Sequence, residues 1–175
     1  ARCRCSVSAM ELVECVPNFS EGRRPEVIDA IRDAIAAVPG VAILDVSSDP
    51  SHNRTVVTFV APAAVAVAAA FNGVAKAREL IDLTSHEGEH PRIGATDVCP
   101  FIPLEGVTMD DCVALANELG RRVGEELEIP VFLYERAATR PDRANLPDVR
   151  RGGFELARSE IGTNPDRTPD FGPNA

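Results

Sequence analysis

Two histidines four residues apart are the first feature of the sequence that suggests chemistry. His86 and His90 frame the string HEGEH, which fits the zinc-protease pattern H-E-x-x-H. In that pattern a helix presents both histidines to one zinc ion, and the intervening glutamate polarises the metal-bound water. Here Pro91 disfavours helical backbone at the preceding histidine, and Gly88 weakens a helix further. We therefore expect a loop at this position and no bound metal.

A third zinc ligand would have to come from elsewhere in the chain. The only remaining histidine is His52, which lies in a separate polar segment. Carboxylates are plentiful enough to substitute for it, but a short motif of this kind has many false positives outside its proper structural context. We interpret the string as a coincidence and not as the mark of a zinc hydrolase.

Three polar segments contain most of the side chains that could bind ligands or transfer protons. The segments are PNFSEG at 17–22, SHNR at 51–54 and GEHPRIGATD at 88–97, and each is expected at a strand end. Two alternatives remain open, since the asparagine of the first segment also suits a helix cap and the histidine of the second also suits a solvent-facing position. The candidate site residues are Asn18, His52, Asn53, Arg54, Glu89, His90, Arg92 and Asp97.

The elements that position these loops are predicted from hydrophobic periodicity. Short β-branched runs indicate strands, and apolar residues spaced three and four apart indicate helices. Prolines mark where helices begin and end. The predicted order is strand 12–17, a helix that ends before Pro39, strands 41–47 and 54–61, a helix from Pro62 to about Leu83, strand 96–104, helix 108–127 and strand 130–135.

This order predicts an α+β protein, an α/β sandwich with one mixed β-sheet and helices packed on one face. The first six elements follow the ferredoxin-like β-α-β-β-α-β order, and one further α-β unit is appended. Residues 10–135 would form this core, and residues 1–9 would be an upstream or disordered segment. Prolines and charges become frequent in residues 136–175, which are predicted to wrap around the core as a tail with one short helix near 147–158.

Composition excludes several classes of protein. The 175 residues carry a formal net charge of −9, so bulk electrostatics do not favour binding to nucleic acid or to an anionic membrane surface. An anionic ligand would need a local basic pocket. No uninterrupted apolar run reaches the roughly 18 residues that cross a bilayer. The five cysteines form neither an even set nor a repeated C-x-x-C spacing, which fits free thiols in a cytoplasmic protein.

Five stretches of the sequence resemble one known family. They are LVECVPNFSEGRRPEVIDAI, SHNRTVVTFV, GEHPRIGATDVCPFIPL, PVFLYERAA and PDFGP. In these stretches, and over nearly the whole chain from Glu11 onward, the sequence is similar to the N-terminal subdomain of glutamate formiminotransferase, the folate enzyme of histidine breakdown. The stretches are too long for chance to explain the match.

The resemblance implies transfer of the formimino group from N-formimino-L-glutamate to N5 of tetrahydrofolate, which acts as co-substrate. It places the catalytic role on the histidine of the GEHPR motif, His90. It also assigns the PDFGP stretch, with Asp170, Phe171 and Gly172, to folate binding. Family members continue into a C-terminal subdomain of similar topology, so the tail would lead to that second half, with folate in the groove between the two.

The chemistry of the candidate residues agrees with these roles. Attack of the folate nitrogen on an amidine creates a tetrahedral centre, and a group that titrates near neutrality must take one proton and return another, as histidine can. Arg54 and Arg92 suit the carboxylates of glutamate and folate. Asp97 or Glu89 would orient the cationic amidinium or fix the tautomer of His90.

A second hypothesis comes from a different class of protein. The chain would then be a non-catalytic folate-binding or assembly module that lacks its partner half. Under either hypothesis the surface between the halves is expected to be apolar and exposed. This surface predicts association with the C-terminal subdomain or self-association.

Overall fold

The computed structural model describes residues 10–175. The predicted upstream segment, residues 1–9, lies outside the described residues. None of the helices in the described part of the chain is long and apolar enough to cross a bilayer. The strands are β1 Leu12–Cys15, β2 Asn18–Phe19, β3 Ala42–Asp49, β4 Arg54–Pro62, β5 Thr96–Val98 and β6 Phe101–Glu105, and the helices are α1 Pro25–Ala36, α2 Ala63–Leu80, α3 Met109–Glu126, α4 Leu146–Val149 and α5 Gly153–Glu160.

The strands form one sheet with the ferredoxin-like order. β1 and β2 both pair with β4 on one side, and on the other side β1 pairs with β6 and β2 with β5. β3 pairs with the opposite edge of β4. The order across the sheet is therefore β5/β6, β1/β2, β4 and β3, which confirms the predicted α+β class.

The prediction of a mixed sheet is wrong, since the pairings among the described strands are all antiparallel. Two crossover helices connect strands that run in the same direction, but a third strand separates each such pair. β4 lies between β1 and β3, and β1 lies between β4 and β6. Strands that run in the same direction are therefore never neighbours.

One face of the sheet carries the hydrophobic core. Alternate residues of β1 and β4 are completely buried, among them Val13, Val57 and Phe59, as the period-two pattern of a half-covered sheet requires. α1, α2 and α3 pack over this face, and α2 packs against both α1 and α3. α2 is rich in alanine, and Gly73 lets it approach α1 so closely that an added Cβ would lie 2.9 Å from the side chain of Ile35.

The opposite face of the sheet leaves apolar side chains exposed. Ile102 and Leu104 of β6 are 37% and 52% exposed, on the face opposite to that of the buried Phe101. Leu44, at an irregularity in the pairing of β3 with β4, is 60% exposed. Scattered apolar residues are normal on a protein surface, but several on one sheet face indicate a surface that another chain or domain covers.

The appended α-β unit has its helix but lacks its strand. Residues 130–135, predicted as a strand, form only an isolated bridge between Val131 and Phe171. Pro130 has no amide hydrogen to donate to a ladder, and Glu135 has a positive φ of 52°, which interrupts extended backbone. The apolar run is instead a connection between α3 and the tail.

The tail has two short helices where one was predicted near 147–158. α4 ends at Val149, and α5 begins at Gly153. Gly152 and Gly153 have positive φ values of 78° and 64°, which turn the chain between the two helices. The amide of Phe154 then donates to the carbonyl of Arg92 at 2.9 Å, so that the start of α5 lies against the GEHPR segment.

The PDFGP stretch packs on α3 at two helical glycines. A Cβ on Gly120 would lie 2.9 Å from the ring of Phe171, and a Cβ on Gly124 would lie 2.5 Å from the backbone nitrogen of Gly172. Asp170 accepts from the amide of Leu133 at 2.7 Å. The end of the tail is therefore held against α3 by close packing, and the Asp170 carboxylate bonds it to the connection that follows α3.

We expect Gly124→Ala to destabilise the protein by about 1–3 kcal/mol, because the added methyl group would push the backbone of Gly172 off the helix. The direction is informative, since glycine to alanine within a helix is otherwise stabilising by about 1 kcal/mol. Urea unfolding followed by circular dichroism measures the change. Glu118→Ala on the exposed side of α3 is the control and should stay within about 0.5 kcal/mol of the parent. Unchanged or higher stability of Gly124→Ala would contradict the close packing.

Candidate active site

Asn53, at the turn between β3 and β4, connects the three polar segments. Its side-chain oxygen accepts from the amide of Gly22 at 2.8 Å, and its side-chain nitrogen donates to the carbonyl of Glu87 at 2.9 Å. Its own carbonyl oxygen lies 3.1 Å from Nε2 of His86, so that nitrogen must carry the proton. The residue is 8% exposed and has a φ of 50°, a conformation that asparagine adopts more readily than most residues.

The loop that contains His90 is irregular and held close to the β3–β4 turn. A 3-10 turn at Leu83–Ser85 precedes it, and residues 86–90 form no helix, as predicted from Pro91. A Cβ on Gly88 would lie 2.5 Å from the carbonyl oxygen of His52. Only glycine fits at this distance, so the loop and the turn are in direct backbone contact.

The two histidines of the H-E-x-x-H string face different partners. His86 is bonded to the carbonyl of Asn53, whereas Nε2 of His90 lies 3.6 Å from a carboxylate oxygen of Asp97. Within residues 10–175, no group of three or more histidine, cysteine, aspartate or glutamate side chains is arranged to hold a metal ion. The helical geometry that the zinc pattern requires does not occur at this position.

His90 lies in a nearly closed environment beside a buried carboxylate. The exposed fraction of its side chain is 12%, and that of Asp97 is 1%. The amide of Ile93 donates to one oxygen of Asp97 at 2.8 Å. The other oxygen forms a short ion pair with the guanidinium of Arg150. Nε2 of His90 is buried and has no hydrogen-bond partner.

Burial and neighbouring cations keep His90 neutral. Burial lowers its pKa below the ordinary value of 6.5, and the charges of Arg54 and Arg150 lower it further, while the charge of Asp97 acts in the opposite direction. The net effect favours the unprotonated ring at neutral pH. An unprotonated imidazole can accept a proton, which is the property that a general base requires.

The two candidate arginines are placed differently. Arg92 is only 13% exposed in its side chain, and its guanidinium donates to Glu155 at 2.9 Å and to the carbonyl of His86 at 3.1 Å. Arg54 forms no ion pair with the described residues, and its charge acts on His90. Arg54 is therefore available to bind an anion, whereas Arg92 already connects the loop to α5.

The three remaining candidates from the polar segments are Asn18, His52 and Glu89. Asn18 is in β2, and its side-chain amide donates to the carbonyl of Val16 at 3.0 Å rather than capping α1. His52 contacts Asp49 at 2.7 Å with 45% of its side chain exposed. Glu89 is exposed, and its amide donates to the carbonyl of Ser51 at 3.3 Å.

Two residues given little or no weight in the sequence have clear roles in this region. Glu21 is 4% exposed, and its carboxylate accepts from the amides of Arg23 and Arg24 at the start of α1. Burial alone would raise its pKa, but these bonds and the Arg24 guanidinium hold the pKa below its ordinary value. Arg150 lies in the tail, 53 residues from Asp97, so no local spacing pattern indicates the pair.

The PDFGP residues are engaged within the chain. Asp170 pairs with Arg143 at 2.7 Å and also accepts from Thr139, and Phe171 and Gly172 pack on α3. These three residues contact α3, the connection that follows it and other parts of the tail. A separate group, the His90 cluster, consists of His90, Arg54 in β4, Asp97 in β5 and Arg150 directly after α4.

We expect the parent protein to lose stability relative to His90→Gln as the pH falls below about 6.5. The unfolded chain takes up a proton at residue 90 near its ordinary pKa of 6.5, whereas the lowered pKa in the folded chain resists protonation, so acid favours unfolding until the folded pKa is passed. Urea midpoints of both proteins between about pH 7.5 and pH 4.5 measure the difference in stability. Because both proteins contain His52 and His86, the contributions of these two residues cancel in the comparison. A difference that stays constant over this range would show that residue 90 does not have a lowered pKa.

Comparison with known proteins agrees with the resemblance drawn from the five stretches. The family described as formiminotransferase domain, N-terminal subdomain, matches residues 12–175. The glutamate formimidoyltransferase of Thermoplasma acidophilum is 54% identical over 166 residues, which is 94% of this chain and 55% of that protein. The glutamate formimidoyltransferase of Streptococcus pyogenes is 49% identical over 162 residues, which is 93% of this chain and 54% of that protein. The formimidoyltransferase-cyclodeaminase of Sus scrofa is 53% identical over 165 residues, which is 94% of this chain and 30% of that protein.

The chain thus spans about half the length of the two glutamate formimidoyltransferases and less than a third of the bifunctional protein. The match nevertheless covers nearly the whole described chain, including the His90 loop and the PDFGP stretch. The protein belongs to the formiminotransferase family, in which it corresponds to the N-terminal subdomain.

Proposed function

We propose that this chain provides the base-bearing half of a glutamate formimidoyltransferase, which moves the formimino group of N-formimino-L-glutamate to N5 of tetrahydrofolate. The observation that carries the proposal is His90, a largely buried imidazole with a lowered pKa beside the carboxylate of Asp97, in a chain that belongs to this family. Tetrahydrofolate enters as co-substrate. No step in this reaction calls for a metal ion.

His90 would move one proton in each half of the reaction. N5 of tetrahydrofolate attacks the amidine carbon, a carbon–nitrogen bond forms, and His90 takes the proton that N5 must lose. The tetrahedral centre then breaks its bond to the glutamate nitrogen, and the imidazolium returns a proton to that nitrogen. The departing group is neutral at nitrogen and leaves as glutamate, and the imidazole is restored.

Arg54 is the residue that we assign to a substrate carboxylate. Its guanidinium has no ion-pair partner among the described residues, and a guanidinium can bind a carboxylate through two parallel hydrogen bonds. Glu89 and His52 remain partly exposed beside the loop and are proposed to contact the substrate from the rim. Asn53 and Arg92 are proposed to hold the loops in place, because their hydrogen bonds are already made within the chain.

The folate site would be completed by a second half. The glutamate formimidoyltransferases that match this chain are nearly twice its length, and the exposed Leu44, Ile102 and Leu104 on the open sheet face supply an apolar surface for the additional part. We propose that this part is a C-terminal subdomain. The assignment of Asp170, Phe171 and Gly172 to folate rests on the family resemblance, since their side chains are engaged with α3 and the tail.

The rival function is a folate-binding or assembly module without catalysis. Both functions predict folate affinity, but only the transferase predicts that the chain, joined to a C-terminal subdomain, forms 5-formiminotetrahydrofolate. The free thiols of Cys15, Cys99 and Cys112 are compatible with a reducing compartment, and we propose a cytoplasmic location.

We expect His90→Ala to lower kcat for formimino transfer by about 100-fold or more, because general acid–base catalysis contributes 10²–10⁴-fold. The assay uses the enzyme with both subdomains and follows 5-formiminotetrahydrofolate spectroscopically. Circular dichroism melting of the variant establishes that it is folded. A kcat within a few-fold of the parent would remove the imidazole from the mechanism and favour the module hypothesis.

We expect Arg54→Ala to raise KM for N-formimino-L-glutamate by about tenfold or more, since a hydrogen bond between charged groups contributes about 1.5–3 kcal/mol. Arg121→Ala is the matched control. Arg121 is an exposed arginine on α3 that pairs with Glu125, so its loss should leave KM unchanged. An Arg54 variant with the KM of the parent would show that another residue binds the carboxylate.

A further inference from the structure

Arg150 is the one cation of the tail that reaches the His90 cluster. It follows α4 directly and its backbone amide closes that helix on the carbonyl of Leu146 at 3.0 Å. Its side chain is 20% exposed, and Nη2 donates to Asp97, whose side chain is 1% exposed. The guanidinium of Arg150 thus binds a buried carboxylate that belongs to a distant segment of the chain.

The two oxygens of Asp97 are used differently. Oδ1 accepts from the amide of Ile93 at 2.8 Å, which fixes the orientation of the carboxylate. Oδ2 is held by Arg150 and also faces His90, but its distance to Nε2 is 3.6 Å. This exceeds the 2.7–3.2 Å of a hydrogen bond between nitrogen and oxygen. The buried nitrogen is therefore left without a partner.

We propose that Arg150 is a positioning residue, which holds the Asp97 oxygen that faces His90 and thereby keeps the imidazole from being fixed as an imidazolium against that carboxylate. This inference rests on the proposed function of His90. Without the guanidinium, the carboxylate would lack its strongest partner and would take a proton-bearing imidazole nitrogen in its place. The ring would then be held as an imidazolium paired with a carboxylate, and it could not accept the proton of the attacking amine.

The charges around His90 support this role. Three charged side chains act on the ring, Arg54 from β4, Asp97 from β5 and Arg150 after α4. The aspartate favours the protonated ring and both arginines oppose it. Because Arg150 binds Asp97 directly, its removal would both delete a repelling charge and release the attracting one. Both changes favour protonation of His90.

The tail is anchored so that Arg150 is held in place. The amide of Phe154 donates to the carbonyl of Arg92, and Glu155 pairs with the guanidinium of the same arginine. On the other side, Arg167 donates to the carbonyl of Val149 at 2.8 Å. These contacts fix the chain both before and after residue 150, as a positioning residue requires.

Titration of His90 by nuclear magnetic resonance tests this inference without reference to catalysis. In the full chain, with the imidazole signals assigned by His52→Gln and His86→Gln, Arg150→Met should raise the midpoint of His90 by about one pH unit. Arg151→Met is the control. Arg151 is the adjacent, 74% exposed arginine paired with Asp148, and its loss should leave the midpoint unchanged. If Arg150→Met does not fold, Arg150→Gln serves with the same expected direction.

The pH profile of the enzyme with both subdomains gives the second readout. For Arg150→Met, the acidic limb of kcat/KM should move upward by the same interval as the His90 midpoint, activity should recover toward the parent at alkaline pH, and Arg150→Lys should restore the parent profile. A purely structural ion pair would instead lower activity by one factor at every pH. An unchanged midpoint and an unchanged profile shape in Arg150→Met would overturn the role of Arg150. An inactive parent enzyme would overturn the proposed function and would leave the titration result intact.

Discussion

A single asparagine side chain joins two loops of the candidate site to the turn between β3 and β4. Asn53 lies at the turn between β3 and β4, and its amide group bonds to the loop after β2 on one side and to the His90 loop on the other. A hydrogen bond of this kind contributes only about 0.5–1.5 kcal/mol, but leaving a buried partner unsatisfied costs more. Asn53 makes these bonds in a conformation, with a φ of 50°, that few side chains adopt without strain.

The charge around His90 is opposite in character to that of the whole molecule. The chain carries a net charge of −9, yet the histidine faces Arg54 and Arg150, with only Asp97 between them. At short range and away from bulk water, two nearby guanidinium groups have more effect than a dispersed negative surface, because screening reduces distant charges first. An acidic protein can thus keep one locally cationic place while the rest of its surface repels anions.

The alternation of apolar residues and the positions of prolines predict the sheet well, because the alternation reflects burial of one face. The alternation in β4 and the proline before α2 are examples. β4 begins at the predicted residue, Arg54, and α2 begins at Ala63, one residue after the predicted start. The strand expected at residues 130–135 is wrong because an apolar run without alternation shows burial but not its partner, which is Phe171 in the tail. The antiparallel sheet follows from strand order, which a linear pattern does not contain.

The candidate site is likewise predicted only in part by the sequence. The three polar segments could be found from the sequence, since loops rich in histidine, arginine and aspartate rarely serve packing alone. Arg54 and Arg92 look equivalent in the sequence, and only the ion pair of Arg92 with Glu155 separates them. Arg150 has no signal in the sequence because its partner Asp97 is 53 residues away. Contacts of such separation are set by tertiary structure.

That separation has a consequence for biosynthesis. A chain leaves the ribosome from its N-terminus, and domains begin to fold as they emerge. The sheet, the three main helices and the histidine loop are all synthesised before residue 150, so Asp97 precedes its cationic partner in the nascent chain by 53 residues. A nascent chain that ends before residue 150 would therefore contain every strand and the histidine loop but lack the Arg150–Asp97 ion pair.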